Sequence, residues 1–271
     1  MPHPHPLLRD PIILVFTIAG GSLVALILCA VFIIAVPELA NPIHLASIAG
    51  EREVIDSLFI TFLAGFIAIL IILLLGTPLS YVLARNDFSG KEVIEGLIDI
   101  PLILPHTVAG LMVYLLFMTR GIIGAPFQTI GFIFEDAFPG IIAAMVFVAI
   151  PYYVDGVREG FEMVPVRLEH VARTLGATRW KTFIWISLPL TSRHIVSSAL
   201  IAWGRAIGEF AAVVMIAYFP MVVSSLIYLR FVTGGITESR SVAFIMLILC
   251  LGLFIGIKLI TKRFGRYHDT A

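Results

Sequence analysis

Arg205 and Glu209 stand four residues apart inside an otherwise apolar stretch of this chain. An ionisable residue within a membrane-length apolar run is costly and marks a functional candidate, while the i, i+4 spacing lets one helix face hold both charges and neutralise them locally. The pair therefore reads either as a lining or gating pair or as a structural ion pair that locks helices together. Catalytic arrangements are missing: no His, Glu, Asp or Ser/Lys cluster of the kind an intramembrane enzyme needs falls inside an apolar run. A phosphate loop is missing too, since Gly90-Lys91 lacks both the upstream glycine and the following Ser or Thr of GxxxxGK[ST]. Cys29 and Cys250 both lie in apolar runs and read as small packing residues, and Leu28 before Cys29 does not suit lipoprotein processing. His3 and His5, in a His/Pro-rich start, could hold a metal only weakly, and no metal site is expected.

The elements that must position Arg205 and Glu209 follow from composition. Of 271 residues, 59% are hydrophobic and 13% charged, with a mean hydropathy of +1.04, against roughly 25% charged in a soluble domain. That composition predicts an all-α polytopic membrane protein, a single transmembrane domain over residues 1–271. The 18 basic and 18 acidic residues cancel, giving no reason to expect a nucleic-acid partner. Bilayer-length runs predict about six transmembrane helices: Ile12–Val36, Ile55–Leu83, Leu102–Met118, Gly140–Val157, Ile195–Phe219 and Val242–Ile260. The third and fourth carry Pro105 and Pro151, which spans tolerate when neighbouring helices rescue the freed backbone groups. Of the 18 Lys and Arg, Arg205 is inside a span and Arg52, Arg120, Arg230 and Arg240 fall on one side, leaving thirteen on the other. This asymmetry predicts both termini to be cytoplasmic, in a cell membrane.

The loop between the fourth and fifth spans, residues 159–194, is long and carries its own structure. Pro165 suits a first helical turn, Val164, Leu168, Val171, Ala172 and Leu175 recur at helical spacing, and Gly176 is placed to end that helix. Thr178 can cap a second short helix carrying Trp180, Phe183 and Ile184, which Pro189 is expected to stop. Arg167, Arg173, Arg179 and Lys181 decorate this loop, whose apolar face lies outside the bilayer and calls for a protein cover. An interfacial helix on anionic lipid is the competing reading, but it does not require the Gly176 to Pro189 spacing.

On these residues the chain resembles the inner-membrane permeases of ABC importers, whose cytoplasmic signature is Glu-Ala-Ala, three residues, Gly, nine residues, Ile-x-Leu-Pro. Gly176 is followed after nine residues by Ile186, Ser187, Leu188 and Pro189, while His170 and Val171 replace the signature Glu and first Ala, and Ala172 keeps the second. The resemblance implies that Val166 to Gly176 is a coupling helix seated in a cleft of a separate ATPase, with Val166, Glu169, His170, Ala172, Arg173, Gly176, Ile186 and Pro189 as contact residues. Glu169 lies one residue before the signature acid, so the acidic contact is kept, shifted to Glu169 or lost. DIPLILPHTVAG (Asp99–Gly110), LEHVARTLGA (Leu168–Ala177) and WGRAIGEFA (Trp203–Ala211) resemble the sulfate, molybdate and tungstate branch, its molybdate/tungstate members most closely, over a core of about residues 55–262.

This resemblance implies a homodimer with one path between two copies, an ATPase dimer below that alone carries ATP and Mg, and an extracytoplasmic binding protein above. Moving a dianion inward against 100 mV costs about 4.6 kcal/mol, which a passive pore cannot supply. A carboxylate lining an anion path would repel its cargo unless paired, which favours the structural reading of Arg205 and Glu209. Neutral dipoles contact an oxyanion without trapping it, so Thr107, Ser197, Ser198 and the backbone near Pro105 and Gly110 are the candidates for the path. His106 reads first as a histidine bonded between helices and second as a donor to the anion. Asp155, Arg158 and Glu159 read as an anchor or gate at the cytoplasmic end of the fourth span. Import of sulfate, phosphate or an amino acid is the alternative. A secondary transporter driven by an ion gradient would show midplane carboxylates and matching broken helices in two halves, where only Glu209 qualifies.

Overall fold

The computed structural model describes residues 11–265, with side chains over 12–257. His3, His5, Arg9 and Arg266, and the side chains of Lys258, Lys262 and Arg263, lie outside the described residues. Within them every regular element is helical: α1 Pro11–Ala40, α2 Pro42–Ala49, α3 Arg52–Arg85, α4 Lys91–Ile103, α5 His106–Phe117, α6 Gly124–Gln128, α7 Phe138–Met163, α8 Val166–Thr174, α9 Arg179–Thr182, α10 Leu188–Ile207, α11 Ala211–Ile216, α12 Val223–Gly234 and α13 Ile236–Gly265. Four helices are long and apolar enough to cross a membrane unbroken, namely α1, α3, α7 and α13. They contain the expected spans Ile12–Val36, Ile55–Leu83, Gly140–Val157 and Val242–Ile260.

The other two expected spans are not single helices. The stretch Leu102–Met118 is divided at Leu104–Pro105, where α4 and α5 meet at 119°. Leu104 is extended (φ −78°, ψ 145°), the conformation a following proline enforces, and Pro105 has no N–H to continue the helix. With 12 residues, α5 is only about 18 Å long, short of the roughly 30 Å hydrocarbon core. The stretch Ile195–Phe219 is likewise broken between α10 and α11 at Gly208–Phe210, so Arg205 and Glu209 do not share one continuous helix. Glu209 itself ends the run, because its carboxylate accepts the Ala212 N–H at 2.8 Å and so satisfies a free donor at the start of α11.

Pro189 does not stop the second loop helix. From α9 the chain passes through a wide π-type turn, Phe183–Ser187, directly into α10, and Pro189 occupies the first turn of α10. A first-turn proline forfeits no hydrogen bond, and the wider turn before it relieves the clash with the carbonyl four residues back. The loop proper is consequently shorter than the sequence suggests, because α7 continues to Met163 and α10 begins at Leu188.

The core is built from α3, α7 and α10, with Ala64, Ala68, Ile72, Ala144, Val148, Tyr153, Ala202 and Ala206 buried among them. Small residues set the spacing. A Cβ on Gly156 would lie 2.3 Å from Ser198 Oγ and one on Gly160 would lie 2.4 Å from His194 Cβ, so α7 and α10 touch nearly backbone to side chain. Separately, α12, which periodicity did not reveal, packs with α2, α13 and the start of α3 around Val54, Leu226 and Val242. Arg230 of α12 pairs there with Glu51 and, at 3.2 Å, with Glu53. The membrane-length part of α1 is unburied in this chain. Its end is fastened by the buried Glu38, which accepts from Arg240 Nε and Ser241 Oγ, both at 2.7 Å.

Candidate functional site

The loop folds as its residue types dictate. Gly176 adopts φ +93° after α8, while Ala177 N–H donates to the Ala172 carbonyl and Gly176 N–H to the Arg173 carbonyl, both at 3.0 Å. These are the two bonds of a Schellman stop, and a left-handed residue at that position carries no steric cost only when it is glycine. Thr178 Oγ1 then accepts the Lys181 N–H at 3.2 Å and caps α9.

Glu169 does not face outward. It is buried, and its carboxylate accepts from Arg85 Nε at 2.8 Å, Ser187 Oγ at 2.8 Å and Tyr81 Oη at 3.0 Å. Burial alone would raise this carboxyl, but the Arg85 guanidinium and the Ser187 and Tyr81 hydroxyls outweigh burial and hold it below its ordinary range. Arg85 also donates to the Val164 carbonyl at 2.9 Å, so one guanidinium seizes both ends of the turn that launches α8. Tyr81, Arg85 and Ser187 were not among the expected site residues. Their signal was present in the Tyr-x-x-x-Arg spacing, which puts both polar ends on one face at the end of α3. What α8 turns outward is Val166, Arg167, His170 and Arg173, with Gly176 and Pro189 also exposed and Ala172 and Ile186 half-buried.

The two helix breaks meet at a second cluster. Arg205 Nη2 donates to Glu209 Oε2 at 2.6 Å and stands 3.0 and 2.9 Å from His106 Nδ1 and Nε2. The acid end of this cluster is sealed and the histidine end is open, for the side chains of Glu209, Arg205 and His106 are 2%, 20% and 45% exposed. Ser224 Oγ donates to the Glu209 carbonyl at 2.9 Å, tying the break to α12. Beyond the breaks, α5 and α11 are in intimate contact: a Cβ on Gly110 would fall 2.7 Å from Ala212 Cα. Their far ends are fixed by one short acidic segment, with Thr119 N–H donating to Glu135 at 2.7 Å and Tyr218 N–H to Asp136 at 2.8 Å. The Thr119 N–H holds the Glu135 carboxyl below its usual range.

Pro105, His106, Gly110, Arg205 and Glu209 are thus brought together. Thr107 is exposed next to them, whereas Ser198 is buried against Gly156 of α7 and Ser197 is exposed on α10. Arg158 binds Glu95 of α4 at 2.7 Å and lies 3.9 Å from Asp155, an anchor between α7 and α4. Among the described residues no group of three or more His, Cys, Asp or Glu is placed to hold a metal ion.

Residues 76–266 match the family described as binding-protein-dependent transport system inner membrane component. The chain belongs to this family. As a permease of this kind it is the membrane subunit of an ATP-driven transporter and catalyses no reaction itself, hydrolysis belonging to a partner ATPase. Over 255 residues the permease is 36% identical to the molybdate/tungstate transport system permease protein WtpB of Thermococcus kodakarensis, covering 94% of this chain and 98% of that protein. The sulfate transport system permease protein CysT of Escherichia coli is 30% identical over 261 residues, covering 93% of this chain and 94% of that protein. A bacterial ABC transporter that imports the acidic polysaccharide alginate shares the fold, with a TM-score of 0.65 at 15% identity, covering 91% of this chain and 97% of that one. The permease family match begins in α3 and takes in the loop and both broken helices. The relatives extend the match to nearly the whole chain.

Proposed function

We propose that this permease forms a homodimer translocating a tetrahedral oxyanion, molybdate or tungstate, with an extracytoplasmic binding protein delivering the cargo and a cytoplasmic ATPase dimer driving it. The observation that carries the cargo class is the 36% identity, across almost the full length of both chains, to a permease named for molybdate and tungstate. In this reading the chain crosses the membrane six times, through α1, α3, α4 with α5, α7, α10 with α11, and α13, and both termini are cytoplasmic. The pairing of charges supports the division of the loops into two sides. Arg85 meets Glu169 and Arg158 meets Glu95 among residues of the expected inner side, while Arg230 meets Glu51 and Glu53 and Arg240 meets Glu38 among those of the outer side.

The helix α8 is the coupling helix of this proposal, with Val166, His170, Ala172, Arg173, Gly176, Ile186 and Pro189 at or near the ATPase and Glu169 holding the helix in place from within. The cluster of His106, Arg205 and Glu209, with Pro105, Thr107 and Gly110 beside it, is the gate region. A guanidinium already neutralised by a buried carboxylate can meet an anion without trapping it, as conduction requires. Ser197, exposed on α10, is assigned a supporting part in the path wall, whereas Ser198, expected beside it, is turned into the seam with α7 and does not line the path. The permease binds no cofactor, and ATP and Mg belong to the ATPase.

The test is uptake by proteoliposomes carrying the complete complex. Labelled tungstate should accumulate only with ATP and be displaced by molybdate well before sulfate; equal displacement by sulfate refutes the cargo assignment. Replacing Gly176 by Trp should abolish co-purification with the ATPase while Gly176→Asn, which tolerates the left-handed backbone, largely preserves it. Undiminished recovery of the complex with Gly176→Trp refutes the docking assignment.

A further inference from the structure

The docking loop is cationic, and where its one acid goes decides whether any of that charge is offset. Between Val166 and Ile186 the sequence has a single carboxylate, Glu169, against Arg167, Arg173, Arg179 and Lys181. Glu169 is consumed internally by Arg85, Tyr81 and Ser187. The four cations are all exposed, and among the described residues none forms an ion pair. They surround apolar surface that water does not welcome, with Val171 48% and Leu175 83% exposed. The acids that close the preceding helix α7 are Glu159 and Glu162, and Glu162 lies 3.8 Å from Arg158. No carboxylate of the loop offsets the outward charge.

We infer that this face fits an acid-rimmed apolar cleft on the ATPase, one whose carboxylates surround a floor receiving Val171 and Leu175, so that docking is electrostatically steered by a cationic permease surface. The inference rests on the reading of α8 as the coupling helix and adds the chemistry of the partner's surface. Unpaired like charges around a small apolar patch recruit an oppositely charged partner over about one Debye length and reject a basic one. An anionic bilayer would also attract the charges. However, α8 has only nine residues, and the Glu169 contacts to Arg85, Tyr81 and Ser187 fix its orientation on the permease rather than leaving it free to turn onto a lipid surface.

The experiment measures binding of the purified cognate ATPase to the full-length permease in nanodiscs of neutral phosphatidylcholine, from about 50 to 500 mM KCl. The expected apparent Kd rises about tenfold or more across that range, since screening weakens charge steering. Reversing two charges, Arg167→Glu with Arg173→Glu, should weaken binding at low salt by about tenfold or more, Gln at the same positions by less, and Lys replacements of cleft carboxylates on the ATPase should rescue the Glu variant. Thermal unfolding of these variants should match the parent, because among the described residues neither side chain is bonded. Tight binding that ignores both salt and charge reversal overturns the acid-rimmed cleft while leaving ATPase docking intact. Failure of the parent permease to bind ATPase at any salt overturns the coupling reading itself. Protection of α8 by phosphatidylserine discs without ATPase, and no salt-sensitive ATPase binding in neutral discs, would assign the face to lipid and overturn the inference.

Discussion

Replacing Glu169 with leucine should release the loop helix α8 without unfolding the permease. The carboxylate and the Arg85 guanidinium are only 10% and 8% exposed and meet at 2.8 Å, so removing one leaves the other charge buried with a single carbonyl, that of Val164, to satisfy it. Breaking such a pair from one side costs about 3 kcal/mol or more, which corresponds to a roughly 150-fold rise in the population of the released helix. Hydrogen exchange on the nanodisc-embedded permease reads this directly. Peptides over residues 164–176 should exchange about two orders of magnitude faster, while peptides from the middle of α7 should not change. The double variant Glu169→Leu with Arg85→Met removes both charges, and should recover about 2 kcal/mol of the loss because no unpaired charge remains. Exchange of α8 within about threefold of the parent, or strictly additive effects of the two substitutions, would refute the claim that this pair holds α8 in place.

The same carboxyl sets an acid limit. Its folded pKa is depressed, so its contribution is complete above the unfolded value of about 4.3 and is lost as pH falls through the lower folded value; α8 exchange should accelerate only in that acid window, and Glu169→Gln should abolish this pH dependence. Gly156→Ala should lower the thermal midpoint by the equivalent of about 1–3 kcal/mol through overpacking, and adding Ser198→Ala should restore most of it by removing the Oγ that would sit 2.3 Å from the new Cβ. Arg205→Met should both destabilise the permease and abolish uptake, since Glu209 is 2% exposed and would lose its cation. Adding Glu209→Leu should regain stability but not transport, and recovery of uptake in that double variant would reduce the pair to a structural role.

Much of the architecture was legible because a bilayer demands long apolar helices, and four of the expected spans lie inside four unbroken ones. The other two failed as single helices for reasons the residues do contain. Pro105 forces Leu104 out of the helix, and Glu209 gives one carboxylate oxygen to a backbone donor that starts a new helix while the other keeps Arg205. Hydropathy averages over such breaks, so a run of the right length conceals two shorter helices at an angle. In the loop, Gly176 and Thr178 could be read because capping is local chemistry. The destination of Glu169 could not, because Tyr81 and Arg85 reach it from a helix more than eighty residues earlier. Pro189 misled in a different way: it signals a boundary, and the π-type turn before it converts that boundary into a first helical turn.

These departures from regular helix connect the α8 loop to the charge cluster. The first turn of α10 follows the π-type turn, where Ser187 bonds Glu169, and the other end carries Arg205 beside the break at Gly208. With 20 residues, α10 is about 30 Å of continuous helix between them. Along that length it is seated on α7 at Gly156 and Gly160, contacts too close for α10 to move nearer α7. A displacement imposed at α8 therefore has stiff routes through α3 and α10, and reaches the cluster as tilt or rotation of α10 rather than as compression. The break at Gly208–Phe210 and the turn at Leu104–Pro105 are where such a tilt is absorbed, because α5 and α11 beyond them are pressed together at Gly110 and tied at their far ends by Glu135 and Asp136. The hydrogen bonds that must stretch first are those bridging the breaks, from Arg205 to His106 and to Glu209, which puts the Arg205 guanidinium at the point where the two halves part.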